Sequence, residues 1–214
     1  MKKITLPSVL TPITIITLTG CISISTERFD AFSEDPNSIA AKIIVERDDF
    51  RKLTTFTGPT CMECLRESTI PGWLRSQTYL FLTASKSDSV NLMFYAIVIH
   101  IIYWDDDWRF YDSAYDKDGE KLRVKEISRK VIGCSSINCT FRENLCLLIS
   151  RKYLEDHKAS GITFKLYGSG DEATFFVPPA YVQTFLSAVA QGFEGKQNDE
   201  LEQKILDIYF RFYQ

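Results

Sequence analysis

The sequence predicts an α+β domain built mainly on an antiparallel β-sheet or sandwich, with one or two C-terminal helices. Three observations support this fold class. The middle of the chain is rich in β-branched and aromatic residues, short polar turns separate these stretches, and helical periodicity appears only in the last third. Strands joined by short polar turns indicate an antiparallel meander.

The N-terminus has the pattern of an export signal. A basic start with two lysines precedes an uncharged run from Ile4 to Leu18, which small residues follow. The run is too short and too rich in threonine for a membrane helix, which needs about 20 apolar residues. Residues 1–20 are therefore predicted to be a signal peptide that is removed.

The residues Leu18-Thr19-Gly20-Cys21 resemble the lipobox of bacterial lipoproteins. The resemblance implies that Cys21 carries a diacylglyceryl group and a further acyl chain such as palmitate, which would anchor the protein to a membrane. In enteric bacteria an aspartate after this cysteine tends to retain lipoproteins in the inner membrane, and here Ile22 follows it. We therefore expect the outer membrane rather than the inner, with the domain facing the periplasm or the cell exterior.

The mature chain is predicted to consist of a flexible tether followed by one domain. Residues 21–40 are polar and acidic, which is typical of a flexible tether, and residues 41–214 suit a single globular domain with its own core. Removing residues 1–20, which hold two lysines and no acid, changes the formal net charge from -3 to -5. A mildly acidic domain lacks the basic surface that sequence-independent nucleic-acid binding requires, so no nucleic-acid partner is expected.

Seven stretches are predicted as strands from their β-branched and aromatic content. They are residues 43–45, 50–56, 78–83, 91–104, 108–115, 122–132 and 144–150. The fourth stretch is apolar at almost every position, so we expect it to be central in the sheet and covered on both faces.

The last third of the chain is predicted to contain the helices. Residues 151–157 form a short helix, and residues 162–167 and 174–177 form a hairpin around a Gly-Ser-Gly-Asp turn. A helix begins at the Pro178-Pro179 pair and runs to about residue 190, since Pro favours the first helical turn. A second helix, over residues 199–212, has apolar residues at helical spacing.

Six cysteines raise the question of disulfides. If Cys21 is lipidated, five remain, so at least one is a free thiol or has a partner outside the chain. Cys134 and Cys139 are predicted to pair, because the four residues between them can form a tight turn at the end of a hairpin. Cys146 lies in an apolar run and is predicted to be a buried thiol.

Cys61 and Cys64 have the two-residue spacing of thiol-disulfide oxidoreductases and of half a zinc site. Redox chemistry favours such a pair at a helix N-terminus, whereas this pair follows Gly58-Pro59 in a predicted loop. A structural disulfide or plain loop thiols are the favoured interpretation. Zinc binding together with Cys134 and Cys139, and redox catalysis, are the alternatives.

No set of residues predicts a reaction. The triple Asp105-Asp106-Asp107 could bind calcium or supply an acid/base pair, but it lacks the ligand spacing of an EF-hand and is predicted to be a solvated turn. The chain has only two histidines, and His100 lies in the most apolar strand, as expected for a hydrogen-bonded core histidine. We therefore expect no catalytic residues, no metal and no cofactor.

Aromatic residues crowd the middle of the sequence. Trp104, Trp108, Tyr111 and Tyr115 could form an exposed recognition surface, because aromatic side chains are enriched at protein interfaces. Cross-strand pairing within the sheet is the favoured alternative.

Four segments carry a family resemblance: Trp-Arg-Phe-Tyr-Asp-Ser-Ala at 108–114, Gly-Glu-Lys-Leu at 119–122, the Cys134 to Cys139 loop, and Pro-Pro-Ala-Tyr-Val at 178–182. In them the chain resembles a group of uncharacterised proteobacterial lipoproteins. The resemblance implies one envelope domain over about residues 40–190 and supplies no activity. The expected function is a non-enzymatic module that binds an envelope protein or another envelope component. The alternative is a periplasmic thiol-redox or metal-binding protein that uses Cys61 and Cys64.

Overall fold

The structure, a computed structural model, describes residues 35–62, 64–68, 75–87 and 92–192. They form an α+β fold, as predicted. The helices are α1 (Pro36–Ala41), α2 (Arg151–His157) and α3 (Pro179–Gly192). The strands are β1 (Ile44–Asp48), β2 (Leu53–Thr57), β3 (Leu65–Ser68), β4 (Arg75–Ser87), β5 (Leu92–Asp105), β6 (Ser113–Asp116), β7 (Lys121–Cys134), β8 (Cys139–Ile149), β9 (Ile162–Gly168) and β10 (Asp171–Val177).

The ten strands of the described residues belong to one curled sheet in the order β1-β2-β4-β5-β8-β7-β6-β9-β10-β3. Every pairing between them is antiparallel. Strand β5 lies inside the sheet and pairs along its length with β4 and β8. The first two residues of β7 pair with β6, whereas the rest of β7 pairs with β8.

One face of the sheet, here called the inner face, carries the main core. Leu82 and Ile97 lie opposite each other on β4 and β5, and both are fully buried. The three helices bury Ile39, Leu154 and Phe185 in the same cluster. Burial of each such side chain is worth about 1.5–3 kcal/mol, so this face supplies much of the folding free energy.

The outer face holds a second, smaller apolar cluster. Its members Phe81, Ala96, Val98 and Cys146 are at most 8% exposed. Because β5 contributes residues to both clusters, its side chains are buried on both faces, as its uninterrupted apolar sequence predicted. Cys146 is a buried free thiol, also as predicted.

Helix α3 is tied to the sheet by one buried hydroxyl. The Tyr181 hydroxyl donates a hydrogen bond to the Pro59 carbonyl at 2.6 Å and accepts one from the Leu82 backbone N–H at 3.1 Å. Gly58 lies beside it, where a Cβ atom would stand 2.3 Å from the hydroxyl oxygen. Only glycine leaves room for this contact.

The predicted strand at residues 108–115 is largely wrong. Only β6, from Ser113, is a strand there, and the preceding residues form an irregular loop. The backbone N–H groups of Phe110 and Tyr111 donate to the side chain of Glu143 rather than to a neighbouring strand. Phe110 also has a φ of 49°, which is the left-handed region and incompatible with a strand.

The ends of the fold differ from the predictions in extent. Helix α1 (Pro36–Ala41), whose N-terminus is capped by the Asp35 side chain, begins within the predicted tether and includes its last five residues, 36–40. Strand β3, four residues at the sheet edge beside β10, was not predicted. The predicted signal peptide, the predicted lipidation site Cys21 and the helix predicted at 199–212 lie outside the described residues.

Candidate functional site

The turn between β7 and β8 is closed by a disulfide. Cys134 and Cys139 are bonded, in agreement with the prediction for this pair. Inside the turn, the Ser135 N–H donates to the Asn138 carbonyl at 2.8 Å. The Ser135 hydroxyl oxygen accepts the N–H groups of Ile137 and Asn138 at 3.2 and 3.1 Å. The turn is thus held in one conformation by a covalent bond and by local hydrogen bonds.

This ordered turn presents apolar side chains to solvent. Ile137 at its tip is 82% exposed, and Val131 and Ile132 on the adjoining part of β7 are each 49% exposed. The strand register brings aromatic residues to the same end of the sheet, since β5 reaches the turn at Asp105, opposite Cys139. We call this end of the sheet the hairpin end. Its apolar side chains are Trp108 and Phe110 on the side of the main core, Trp104 on the opposite face, and Val131, Ile132 and Ile137 at the turn.

The loop before β6 places Trp108 and Phe110 on the hairpin end. The Trp108 ring packs on Phe141 with centroids 4.6 Å apart. The Arg129 guanidinium carbon lies 5.0 Å from the centroid of the Phe110 ring, which is cation–π geometry. Trp104, on the outer face of β5, and Phe110 are 43% and 44% exposed.

A fully buried carboxylate anchors that loop. Glu143 on β8 accepts the Tyr103 hydroxyl at 2.6 Å and the Phe110 N–H at 3.1 Å, and it pairs with Arg129 Nε at 2.9 Å. The Tyr103 hydroxyl in turn accepts the Arg109 N–H at 2.8 Å. Burial and the bond to Glu143 raise the pKa of Tyr103. The carboxylate therefore replaces strand pairing as the partner of the loop backbone.

The solvated turn predicted for the three aspartates is confirmed at Asp106 and Asp107 but is wrong at Asp105. Asp105 is not a solvated turn residue: it is 8% exposed and forms a salt bridge with Arg109. Burial opposes ionisation of Asp105, but hydrogen bonds from the Asp106 N–H and from Arg109 outweigh it and lower the pKa. Asp106 and Asp107 are exposed and form part of the rim of the hairpin end.

Cys61 and Cys64 lie apart from the hairpin end, beside strand β4. They form a second disulfide, both residues are fully buried, and backbone hydrogen bonds of 2.7 and 3.0 Å join Cys61 to Leu80 on β4. A buried bond of this kind is shielded from attacking thiolates, which favours the structural interpretation over redox exchange. The two disulfides use all four cysteines of the zinc alternative, so no thiolate among them is available to a metal.

The remaining candidates are distributed between the core and the surface. Tyr111 is 1% exposed, whereas Tyr115 is 39% exposed and packs edge-on against Tyr167. His100 lies on the outer face, stacked on Tyr79 at 4.8 Å, and burial lowers its pKa to about 4. The expectation of a fully hydrogen-bonded histidine fails in one respect, because its Nε2 has no partner in the described part of the chain.

One cluster of possible metal ligands was missed by the sequence predictions. Asp116, the last residue of β6, and Asp118, in the turn between β6 and β7, meet His157 at the end of α2. The local signal was two aspartates spaced two apart before a glycine, but the histidine lies about 40 positions later in the sequence. Only the packing of α2 against this turn brings the three together.

No protein-family model, curated protein or solved structure matches this chain. None of the helices formed by the described residues has the length and hydropathy needed to cross a membrane.

Proposed function

We propose that this protein is a lipid-anchored module of the bacterial cell envelope that binds a partner protein through the hairpin end and performs no reaction itself. The observation that carries the proposal is the disulfide-closed turn that holds Ile137 82% exposed. Because the turn backbone is already fixed, binding through this isoleucine does not carry the cost of ordering the turn, which favours affinity.

The composition of the hairpin end favours a protein as the partner. Aromatic residues and arginine are enriched at the centres of protein interfaces, and here the exposed Phe110 ring contacts both Arg129 and Trp108. The exposed carboxylates of Asp106 and Asp107 lie at the rim. Anionic lipid headgroups would repel these carboxylates, so a membrane surface is the less favourable ligand.

The anchor is proposed at Cys21, from the lipobox-like sequence that ends there. Thirteen residues, 22–34, separate this cysteine from the Asp35 cap of α1. Fully extended, they would reach about 45 Å, at about 3.3–3.6 Å per residue. A tether of this length would allow the hairpin end to meet a partner in the same membrane or beside it.

The alternative function, thiol-redox or metal binding at Cys61 and Cys64, has less support. Both sulfur atoms are buried in a bond to each other. Native protein in which this pair exchanges rapidly with glutathione would revive the alternative.

Site-specific photo-cross-linking in intact cells tests the interaction. A photoreactive amino acid at Ile137 should give a discrete adduct, and the same residue at Val45 should not. Val45 is a matched control because it is also an exposed apolar residue, at 55%, but lies on the edge strand β1. A Phe110→Asp substitution should abolish the Ile137 adduct. Equal adducts at both positions, or none at Ile137, would overturn the proposal.

Intact mass measurement tests the anchor. Protein purified from the envelope should carry the added mass of three acyl chains at Cys21, and Cys21→Ser should lack it and appear in the soluble periplasmic fraction. Density-gradient separation of the two membranes would then show which one holds the wild type. An unmodified wild-type mass would rule out lipidation.

A further inference from the structure

Three side chains that can bind a metal converge where α2 meets the turn between β6 and β7. His157 is the last residue of α2, Asp116 is the last residue of β6, and Asp118 lies in the turn. His157 Nε2 lies 4.0 Å from Asp116 Oδ2 and 3.9 Å from Asp118 Oδ2. Two separate parts of the fold thus direct their polar atoms toward one point.

The histidine is oriented as a metal ligand requires. Its Nδ1 lies 2.8 Å from the Tyr153 carbonyl oxygen, which can only accept a hydrogen bond. Nδ1 must therefore carry a proton, and in the neutral ring the lone pair is on Nε2, which faces the two carboxylates. A bond from the second ring nitrogen to a backbone carbonyl is the usual support of a metal-binding histidine. The ring also packs on Tyr153, with centroids 4.2 Å apart.

The Asp116 carboxylate is an independent indication of a cation. Its side chain is only 2% exposed. Among the described residues no lysine or arginine nitrogen forms an ion pair with it within 4.0 Å, and the one potentially charged nitrogen at that distance is Nε2 of His157. It accepts the N–H groups of Asp118 and Glu120 and the Tyr153 hydroxyl, all of which are neutral donors. Buried carboxylates are usually paired with a cation or bound to a metal.

We propose that Asp116, Asp118 and His157 form a binding site for one divalent first-row transition metal ion, for which zinc is the probe. One imidazole nitrogen and two carboxylate oxygens suit zinc, whereas calcium prefers six or more oxygens. Ligand atoms in a tetrahedral zinc site lie about 3.3 Å apart, given bonds of about 2.0–2.1 Å. The two distances from His157 Nε2, 4.0 and 3.9 Å, would each shorten by about half an ångström, given these bond lengths. The three ligand atoms all lie within 4.8 Å of one another, and Asp118, whose side chain is 67% exposed, has space to move toward the other two. Water would occupy the remaining position.

Zinc titration of the full chain tests this site, with binding followed by calorimetry and by the shift in Tm. Wild-type protein freed of metal by a chelator should bind one zinc ion and melt at a higher temperature with it. His157→Gln and Asp118→Asn should each weaken zinc binding at least tenfold and remove most of the Tm shift. Asp156→Asn is the matched control: this exposed aspartate lies beside His157 on α2 and pairs with Lys152. It should bind zinc as the wild type does.

Cobalt absorption gives a second measurement that a structural defect would not imitate. Bound Co²⁺ should show visible bands of a nitrogen and oxygen site in wild type, and these should disappear in His157→Gln. If that variant fails to fold, Asp118→Asn alone decides, because its exposed side chain has little effect on folding. Wild type that binds no zinc at 0.1 mM, or variants that bind as tightly as the control, would overturn the proposal.

Discussion

The carboxylate of Glu143, buried on β8, accepts a hydrogen bond of 2.6 Å from the hydroxyl of Tyr103 on the neighbouring strand β5. The same carboxylate pairs with Arg129 and accepts two backbone N–H groups of the loop that carries Phe110. Each charge and each donor in this group has a partner, which offsets the high cost of burying a carboxylate. Glu143 therefore positions the aromatic part of the hairpin end.

Replacement of Glu143 by glutamine should lower the free energy of unfolding by about 2–4 kcal/mol, because Arg129 loses its buried partner and one backbone donor loses its acceptor. Urea unfolding measures the change. Glu126→Gln is the control, since Glu126 also pairs with Arg129 but its side chain is 46% exposed. We expect this control to cost less than about 1 kcal/mol. Equal losses of unfolding free energy in the two variants would show that the buried Glu143 contributes no more to stability than the exposed Glu126.

Removal of the Cys61–Cys64 disulfide should lower the free energy of unfolding more than removal of the Cys134–Cys139 disulfide. They close short loops, with sequence separations of 3 and 5, for which chain entropy predicts about 2 kcal/mol in each case. Cys61→Ser with Cys64→Ser also buries two hydroxyls, each at a cost of about 1–3 kcal/mol if it finds no partner. The Cys134 and Cys139 double variant lacks this second penalty. Urea unfolding measures the loss in each double variant, and intact mass confirms that the other disulfide remains. A larger loss in the Cys134 and Cys139 variant than in the Cys61 and Cys64 variant would contradict the prediction.

Removal of the Tyr181 hydroxyl should weaken the attachment of α3. In Tyr181→Phe the Pro59 carbonyl and the Leu82 N–H both lose their partner in the core, and we expect a loss of about 2–4 kcal/mol. Tyr115→Phe, at a position 39% exposed, serves as the control and should change stability by less than about 0.5 kcal/mol. Thermal and urea unfolding of both variants measure these losses. A Tyr181→Phe variant as stable as the Tyr115→Phe control would contradict the assigned role of the buried hydroxyl.

His100 should make stability depend on pH. Its folded-state pKa of about 4 lies below the ordinary value of 6.5, because burial disfavours the charged ring. As the pH falls, the unfolded chain takes up the proton first. The contribution of His100 is thus complete above about pH 6.5 and is lost toward pH 4, up to about 3 kcal/mol in all.

Urea unfolding between pH 4 and 7.5 should show a weaker pH dependence in His100→Gln than in wild type. The His100 ring protons, followed by NMR, should titrate near pH 4 in the folded protein. Parallel stability profiles for the two proteins would contradict this assignment.

The Cys146 thiol should be unreactive while the protein is folded. It is 6% exposed, and burial raises its pKa to about 11, although Lys125 opposes the shift. At pH 8 very little of it is thiolate, which is the reactive form. In the Cys21→Ser protein we expect slow labelling by a disulfide reagent under native conditions and one labelled thiol after unfolding. Rapid native labelling, or three or more thiols, would contradict the buried thiol or the two disulfides.

The fold class followed from local patterns. The uninterrupted apolar sequence of β5 predicted a strand buried on both faces, and the polar clusters marked most turns. The hairpin of β9 and β10 and the helices α2 and α3 lie close to the predicted residues. These features depend on periodicity and turn chemistry, which neighbouring residues set among themselves.

The candidate site depended on contacts that local patterns do not contain. The sequence predicted the Cys134–Cys139 disulfide, since both residues belong to one short turn. It did not predict that the Phe110 N–H would donate to the Glu143 carboxylate instead of to a neighbouring strand, because these residues are 33 positions apart. Likewise, the run of three aspartates predicts a solvated turn, whereas Asp105 is buried and forms a salt bridge with Arg109.

The sequence by itself determined most of the strands and turns, the C-terminal helix α3 and the disulfide at the hairpin turn, because each depends on residues close together in the chain. Only the tertiary structure decided which side chains remained exposed and which polar groups met. The exposed hairpin end and the cluster of Asp116, Asp118 and His157 both arise where distant segments pack together. Burial there changes the cost of a charge or an unpaired donor, and that cost depends on the folded surroundings rather than on the local sequence.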